Sequence, residues 1–233
     1  MENLPPYISW VFIATSLLTL FFLYKASRHS KAVVIIALAW LVIQSIIANS
    51  KFYTETQILP PRFLLLVLPP FLLIIILFVT AKGKAFIDRF DTRWLTWLHI
   101  VRVPVELVLF WLFIQKQIPQ LMTFEGRNFD ILSGLTAPVI AYFGYHKQKL
   151  HTTLLLIWNF LCLALLINIV ANAVLSAPFP FQQFAFEQPN VAVLYFPFAL
   201  LPAFIVPAVL FAHLVCIRRL LSKKKTTAGI AYF

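Results

Sequence analysis

The stretch LTWLHIVRVPVELVLFWLFI, residues 95–114, is apolar over a length that can cross a bilayer as one α-helix, which requires about 20 residues. It nevertheless contains three ionisable residues, His99, Arg102 and Glu106. Their spacings of three and four residues place them within about 60° of one another on one helical face. Because charged groups are costly in hydrocarbon, we expect this face to contact protein or trapped water.

These three ionisable residues predict a functional interior. Intramembrane ionisable groups commonly mark a ligand or proton pathway, so we expect His99, Arg102 and Glu106 to line a central polar cavity. Arg102 would attract an anionic or polyhydroxylated group there, and Glu106 would accept a proton or a hydrogen bond. The alternative is a purely structural Arg102–Glu106 ion pair at i,i+4, with His99 as a neutral partner. Pro104 lies between the pair and is expected to kink the helix.

The composition of the whole chain indicates a polytopic membrane protein. Of the 233 residues, 61% are hydrophobic and 12% are charged, and the mean hydropathy is +0.89. A soluble domain has about 25% charged residues, so this chain lacks the polar surface that water requires. We expect no separate soluble domain, because nearly every residue falls in an apolar segment or a short connection.

Seven apolar segments are predicted to cross the bilayer as helices. They form one domain, residues 1–233, with the fold of an all-α seven-helix transmembrane bundle and a short basic cytoplasmic tail at 218–233. The predicted spans are 7–26, 32–49, 62–81, 94–115, 129–146, 152–175 and 191–217.

The distribution of the 19 lysines and arginines predicts the orientation of the bundle. The connections after spans one, three and five, together with the tail, hold 14 of them, and the other connections hold four. The positive-inside rule then places the N-terminus outside and the C-terminus in the cytoplasm, as in a plasma (bacterial inner) membrane protein. The net charge of +11 is spread over short connections, which favours contact with membrane lipids and not with nucleic acid. The oligomeric state is left open.

Weak internal similarity suggests a 3+1+3 pseudo-repeat. Leu-Pro-x-Phe occurs at 68–71 and again at 201–204, and IIAN at 46–49 matches IVAN at 169–172. Repeated helix groups are common in transporters. In topology and size the chain resembles the seven-helix plan of the SWEET and PQ-loop sugar transporters, a resemblance that implies transport with span four as a linker. A chance match between apolar helices is the alternative.

Polar residues on other helices are candidates to complete the cavity. We expect Asn159 and His213 in the cytoplasmic layer of the bundle, and Gln44 and Asn168 in the outer layer at the level of Glu106. Each could instead serve only as an interhelical hydrogen bond, worth about 0.6 kcal/mol.

Two predicted outer connections are unusual in composition. Residues 124–130, FEGRNFD, provide a second candidate site, a binding or catalytic loop at the mouth of the bundle, formed by Glu125, Arg127, Asn128 and Asp130. The alternative is a solvated turn in which Asn128 or Asp130 caps span five. Residues 176–190 contain four phenylalanines and are expected to lie at the interface or to fold over the mouth.

No metal or cofactor signature is present in the sequence. HxxxH, HExxH and CxxC spacings are missing, as are a Ser-based elbow and a Gly-rich phosphate loop. We therefore predict neither metal nor cofactor and leave catalysis open. The leading hypothesis is a transporter or binding protein for a small polar or amphiphilic ligand. The second is an intramembrane enzyme acting on a lipid or isoprenoid, and the third is a sensor or assembly factor.

Overall fold

The computed structural model describes the backbone of residues 4–230 and the side chains of residues 4–222. Lys223, Lys224 and Lys225 of the predicted basic tail therefore lie outside the described side chains. All regular structure in the described part of the chain is helical. The α-helices are α1 (Pro6–Ala26), α2 (Lys31–Asn49), α3 (Leu64–Val79), α4 (Ala81–Ile87), α5 (Thr92–Leu98), α6 (Arg102–Ile114), α7 (Ile131–Ile140), α8 (Thr152–Leu175) and α9 (Val206–Ile230).

Five helical segments of the described chain are long and apolar enough to cross a membrane: α1, α2, Thr92–Ile114, α8 and Leu201–Ser222. A sixth results if α3 and α4, which meet at 98°, are counted as one broken span. The predicted span 129–146 is also helical, but α7 has only 10 residues before it continues as the six-residue π-helix Ala141–His146. The all-helical fold with several span-length apolar helices is thus confirmed, whereas the seventh span and the orientation stay predictions.

The last apolar helix begins later than predicted. Residues 191–199 form a short 3-10 turn and an irregular stretch in place of the start of the predicted span 191–217. Pro197 explains the difference, because proline lacks the N–H that a helix interior needs and disfavours helical backbone at the preceding residue, whereas Pro202 lies in the first helical turn, where it is tolerated. At its other end, α9 continues to Ile230, past the predicted start of the tail.

The segment Leu201–Ser222 is the central helix of the bundle. In its most apolar part 72% of the residues are buried, against 17% in α2. It packs against α5 and α8, while α1 covers α5 and α6. The peripheral helices α2 and α3 expose large apolar side chains on most of their surface, as helices that face lipid do.

A proline in α9 frees a backbone carbonyl that α2 then covers. Pro207 has no N–H to donate to the carbonyl of Ala203, four residues earlier. The indole Nε1 of Trp40 donates to that oxygen at 2.9 Å. This bond holds the π-helical segment Leu201–Ile205 against α2, and the same segment forms one wall of the cavity described below.

The predicted kink at Pro104 takes a milder form. Residues His99–Val101 form a 3-10 turn between α5 and α6, and Pro104 follows in the first turn of α6. Proline is tolerated in a first turn, because the N–H it lacks would have no helical partner there. Thr92–Ile114 consequently remains one helical segment that is long and apolar enough to cross a membrane.

Candidate functional site

The side chain of Arg102 is the centre of a buried polar network. Its Nη1 donates to Asp130 Oδ1 at 2.7 Å and to the carbonyl of Cys162 at 3.2 Å, and its Nη2 donates to His213 Nε2 at 2.9 Å. Only 3% of Arg102 is exposed. The buried ion pair therefore joins Arg102 to Asp130, and among the described residues no salt bridge joins Arg102 to Glu106.

The hydrogen bonds of this network define the state of His213. A guanidinium can only donate, so Nε2 of His213 accepts from Arg102 and the ring proton lies on Nδ1. Nδ1 then donates to Asn159 Oδ1 at 3.0 Å, while Asn159 Nδ2 donates to the carbonyl of Leu155 at 2.8 Å. His213 is thus a neutral ring in one tautomer, placed between Arg102 and α8.

His99 lies behind this network. Its ring stacks on His213 with centroids 3.9 Å apart and an interplanar angle of 20°, and it meets the edge of Trp158 at 5.5 Å. It is fully buried, and neither ring nitrogen has a hydrogen-bond partner among the described residues. His99 supports the ring that contacts Arg102 and does not line the cavity.

Asn128, which belongs to the predicted loop site at 124–130, forms a hydrogen bond with Glu106 of the predicted cavity site. Its Nδ2 donates to Glu106 Oε1 at 2.5 Å and to the carbonyl of Met122 at 3.0 Å. Its Oδ1 accepts from the backbone N–H of Asp130 at 3.0 Å, just before α7 begins. Of the two cap residues considered, Asn128 makes the turn, and Asp130 makes no cap bond of its own. The carboxylate of Asp130 is free to reach Arg102 instead.

The loop residues 124–130 are therefore divided between the interior and the surface. Asn128 and Asp130 are buried at 0% and 5% exposure. Glu125 and Arg127 are exposed. The four residues expected at one outer site do not converge, because alternate residues of this turn face opposite sides.

A glycine allows α7 to approach α6 closely enough for this arrangement. A Cβ at Gly134 would lie 2.8 Å from Cγ2 of Val103 and 3.0 Å from its backbone nitrogen. Any larger residue would push the start of α7 away from α6. Gly134 thus helps to bring Asp130 within hydrogen-bond distance of Arg102.

A cavity of about 410 Å³ lies beside Arg102 and Glu106. This volume falls within the range of about 300–1,000 Å³ that is typical of small-molecule sites. Its walls come from α3, α6, α8 and residues 201–209. The polar residues in its lining are Arg102, Glu106, Asp130 and Asn190, and every other lining residue is apolar. The cavity is therefore an apolar chamber with a small charged region, in contrast to the polar cavity expected from the sequence.

The phenylalanine-rich segment 176–190 covers part of this cavity. Phe179 and Phe181 stack with centroids 5.3 Å apart, and both line the cavity. Phe179 is buried, whereas Phe181, Phe184 and Phe186 are exposed by 40%, 36% and 70%. The two expectations for this segment each describe part of it, since Phe179 and one face of Phe181 close over the cavity and Phe184 and Phe186 face outward.

Asn190 is a cavity residue that sequence reasoning missed. It is fully buried, and its Nδ2 donates to the carbonyl of Ala173 at 3.1 Å. Its Oδ1 has no partner among the described residues. Nothing in the local sequence distinguishes Asn190 from the other amides of its loop, because its burial depends on the fold of the loop over α8.

Gln44 and Asn168 do not contact Glu106. Gln44 Oε1 accepts from the hydroxyl of Tyr53 at 2.5 Å in the turn after α2. Burial raises the pKa of Tyr53 to about 12, more than the bond to Gln44 lowers it, so the phenol is protonated and donates at neutral pH. Asn168 is exposed and donates to the carbonyl of Arg127 at 2.9 Å. Neither residue lines the cavity.

Comparison with known proteins gives one match. A family model described as a domain of unknown function (DUF8737) matches residues 60–221, which is more than half of the chain. The matched region includes every residue that lines the cavity and the whole Arg102 network. No curated protein and no solved structure matches the chain.

Proposed function

We propose that this chain, which belongs to the DUF8737 family, is a membrane protein that binds a small amphiphile inside its helical bundle. The apolar part of the ligand occupies the cavity, and its polar head contacts Arg102 and Glu106. The observation that carries the proposal is a cavity of about 410 Å³ whose lining is apolar except for four residues. This is the chemistry of a site for a lipid-like molecule, and it agrees with the hypothesis of a transporter or ligand-binding protein.

The packing of α3 supports access to this site from the side of the bundle. α3 is a peripheral helix that packs against α9 and the segment Leu201–Ile205 and has few buried residues. It carries Pro69 and Pro70 in its interior and meets α4 at 98°. Because α3 lines the cavity and is mostly exposed on its other faces, movement of α3 would open the cavity toward lipid.

We also propose the seven-span topology with the N-terminus outside and the C-terminus in the cytoplasm of a plasma or bacterial inner membrane. The asymmetry of basic residues supports this orientation. It puts the segments 117–130 and 176–190, and with them Phe179 and Phe181, at the outer end. The amphiphile would then exchange with the outer leaflet.

Retention of a ligand by cavity variants tests the proposed function. The protein is reconstituted in nanodiscs made from a total lipid extract and examined by native mass spectrometry. The wild type is expected to retain a stoichiometric amphiphile, and Ala173→Phe, which places a ring in the cavity, is expected to lose it. The matched control is Ala171→Phe, on the exposed face of the same helix. Equal retention by the two variants, or no retained molecule in the wild type, would contradict the proposal.

The intramembrane enzyme is the second hypothesis, and it makes a different prediction. Lipid extracts incubated with the protein would yield a new product that depends on Asn128 and Asp130. Binding is favoured over turnover because Glu125 and Arg127 are exposed, whereas Asn128 and Asp130 are already occupied with Glu106 and Arg102. Saturable binding without a product supports the binding protein.

A further inference from the structure

We infer that the ligand of this cavity carries a neutral hydroxyl head group, as a long-chain alcohol does, and that Glu106 selects it. The inference rests on the proposed function and specifies the class of amphiphile. Its basis is that three residues of the cavity lining each have a buried polar atom without a partner among the described residues: Glu106 Oε2, Asn190 Oδ1 and Arg102 Nε.

Only one of the two carboxyl oxygens of Glu106 has a hydrogen-bond partner among the described residues. The residue is 1% exposed, and its Oε1 accepts from Asn128. Its Oε2 is buried and has no hydrogen-bond partner in the described part of the chain. A buried carboxyl oxygen without a partner is costly, and a ligand hydroxyl group that hydrogen-bonds to Oε2 removes that cost.

The guanidinium of Arg102 offers the complementary group. Nη1 and Nη2 are engaged, but Nε has no partner in the described structure. An Nε–H can only donate, so it needs an acceptor. A hydroxyl group donates and accepts at once and can satisfy both residues, whereas an ether can only accept and an ammonium group can only donate.

The charges near Arg102 disfavour an anionic head group. Arg102 already pairs with Asp130 at 2.7 Å, and Glu106 is a second carboxyl group on the same cavity wall. A carboxylate or phosphate would bring a further negative group to a buried region that holds two carboxyl groups and one guanidinium. Arg102 is thus poorly suited to bind an anionic head group, which is the role that the sequence predicted for it.

A matched set of probes tests this inference. Myristyl alcohol, its methyl ether and myristate share one chain length and differ in the head group. Each competes with tritiated myristyl alcohol for the protein in nanodiscs. The wild type is expected to bind the alcohol about tenfold more tightly than the methyl ether, as one buried hydrogen bond would give, and myristate more weakly than the alcohol.

The variant Glu106→Gln identifies the selecting residue. Its amide oxygen still accepts from Asn128, but an NH₂ group that can only donate replaces the free oxygen. The preference for the alcohol over the ether is expected to fall to less than about twofold. Glu125→Gln, an exposed carboxyl group in the nearby loop, is the control and should leave the preference unchanged.

The outcomes separate the inference from the proposed function. Equal binding of the alcohol and the ether, or tighter binding of myristate than of the alcohol, would overturn the inference of a hydroxyl head group. If Ala173→Phe still abolished binding of these probes, the proposed function of the cavity would stand. Failure of all three probes to bind would overturn the inference too, and the lipid-extract experiment would then decide the proposed function independently.

Discussion

Arg102 and Glu106 lie one turn apart on α6, yet their polar atoms have different surroundings. Both terminal nitrogens of Arg102 are bonded to groups from other parts of the chain, among them Asp130 and His213. Glu106 has one oxygen bonded to Asn128 and one without a partner among the described residues, and it lines the cavity. Arg102 therefore holds helices together, whereas Glu106 retains capacity for a ligand.

The comparison shows that burial alone does not separate structural from functional charges. Arg102 and Glu106 are 3% and 1% exposed, so exposure cannot distinguish them. The number of side-chain hydrogen bonds to other parts of the chain does distinguish them, since Arg102 makes three such bonds and Glu106 makes one. Stability should consequently depend strongly on Arg102 and weakly on Glu106, while ligand selection should show the reverse dependence.

The largest effect is expected for Arg102→Met. The substitution keeps an apolar stem but leaves the Asp130 carboxyl group buried and unpaired, so the free energy of unfolding should fall by about 3–5 kcal/mol. Equilibrium unfolding in mixed micelles with increasing SDS, followed by far-UV circular dichroism, measures this loss. The double variant Arg102→Met with Asp130→Asn should recover part of it. A loss below about 1 kcal/mol would contradict the role of Arg102 as an anchor.

An intermediate effect is expected for Asn128→Ala, because Asn128 joins the two regions. The variant loses the bond to Glu106 and the turn bond to the Asp130 N–H, so unfolding should become easier by about 2–3 kcal/mol in the same assay. Asn128→Ser keeps an acceptor for the turn and should lose less. Arg127→Ala, at the exposed neighbouring position, is the control. An equal loss of stability in both alanine variants would refute the role of Asn128 in joining the two regions.

The smallest effect on stability is expected for Glu106→Gln. The amide oxygen still accepts from Asn128, and no bond in the described structure is lost at Oε2, so the free energy of unfolding should change by less than about 1 kcal/mol. A loss as large as that of Arg102→Met would show that Oε2 has a fixed structural partner. Glu106 would then belong with Arg102 as an anchor.

The sequence predicted the layer around Arg102 better than the surroundings of Glu106. Counting residues along straight helices put Asn159 and His213 at the level of Arg102, where the three side chains form one hydrogen-bonded chain. The same counting put Asn168 near Glu106, but it bonds to the backbone of Arg127. Helical rise predicts depth, whereas the direction in which a side chain points also depends on how the helix is rotated by its packing.

The cavity lining could not be predicted from the polar residues that were singled out. Its walls are apolar, and an apolar residue beside a void has the same local pattern as one in a packed core or one that faces lipid. Asn190 and Phe179 reach the cavity only because residues 176–190 fold back over α8. No helical periodicity describes such a segment.

The sequence by itself determined that the chain is helical and apolar over several span-length segments, and that His99, Arg102 and Glu106 share one face that must avoid lipid. These properties follow from composition and from the helical period, which are local. Only the tertiary structure decided that Arg102 pairs with Asp130, 28 residues away, and that Glu106, beside an apolar cavity, has one oxygen without a partner among the described residues. A buried charged side chain pairs with the polar group that the packing of loops and helices brings within hydrogen-bond distance. This packing depends on contacts between segments far apart in the chain.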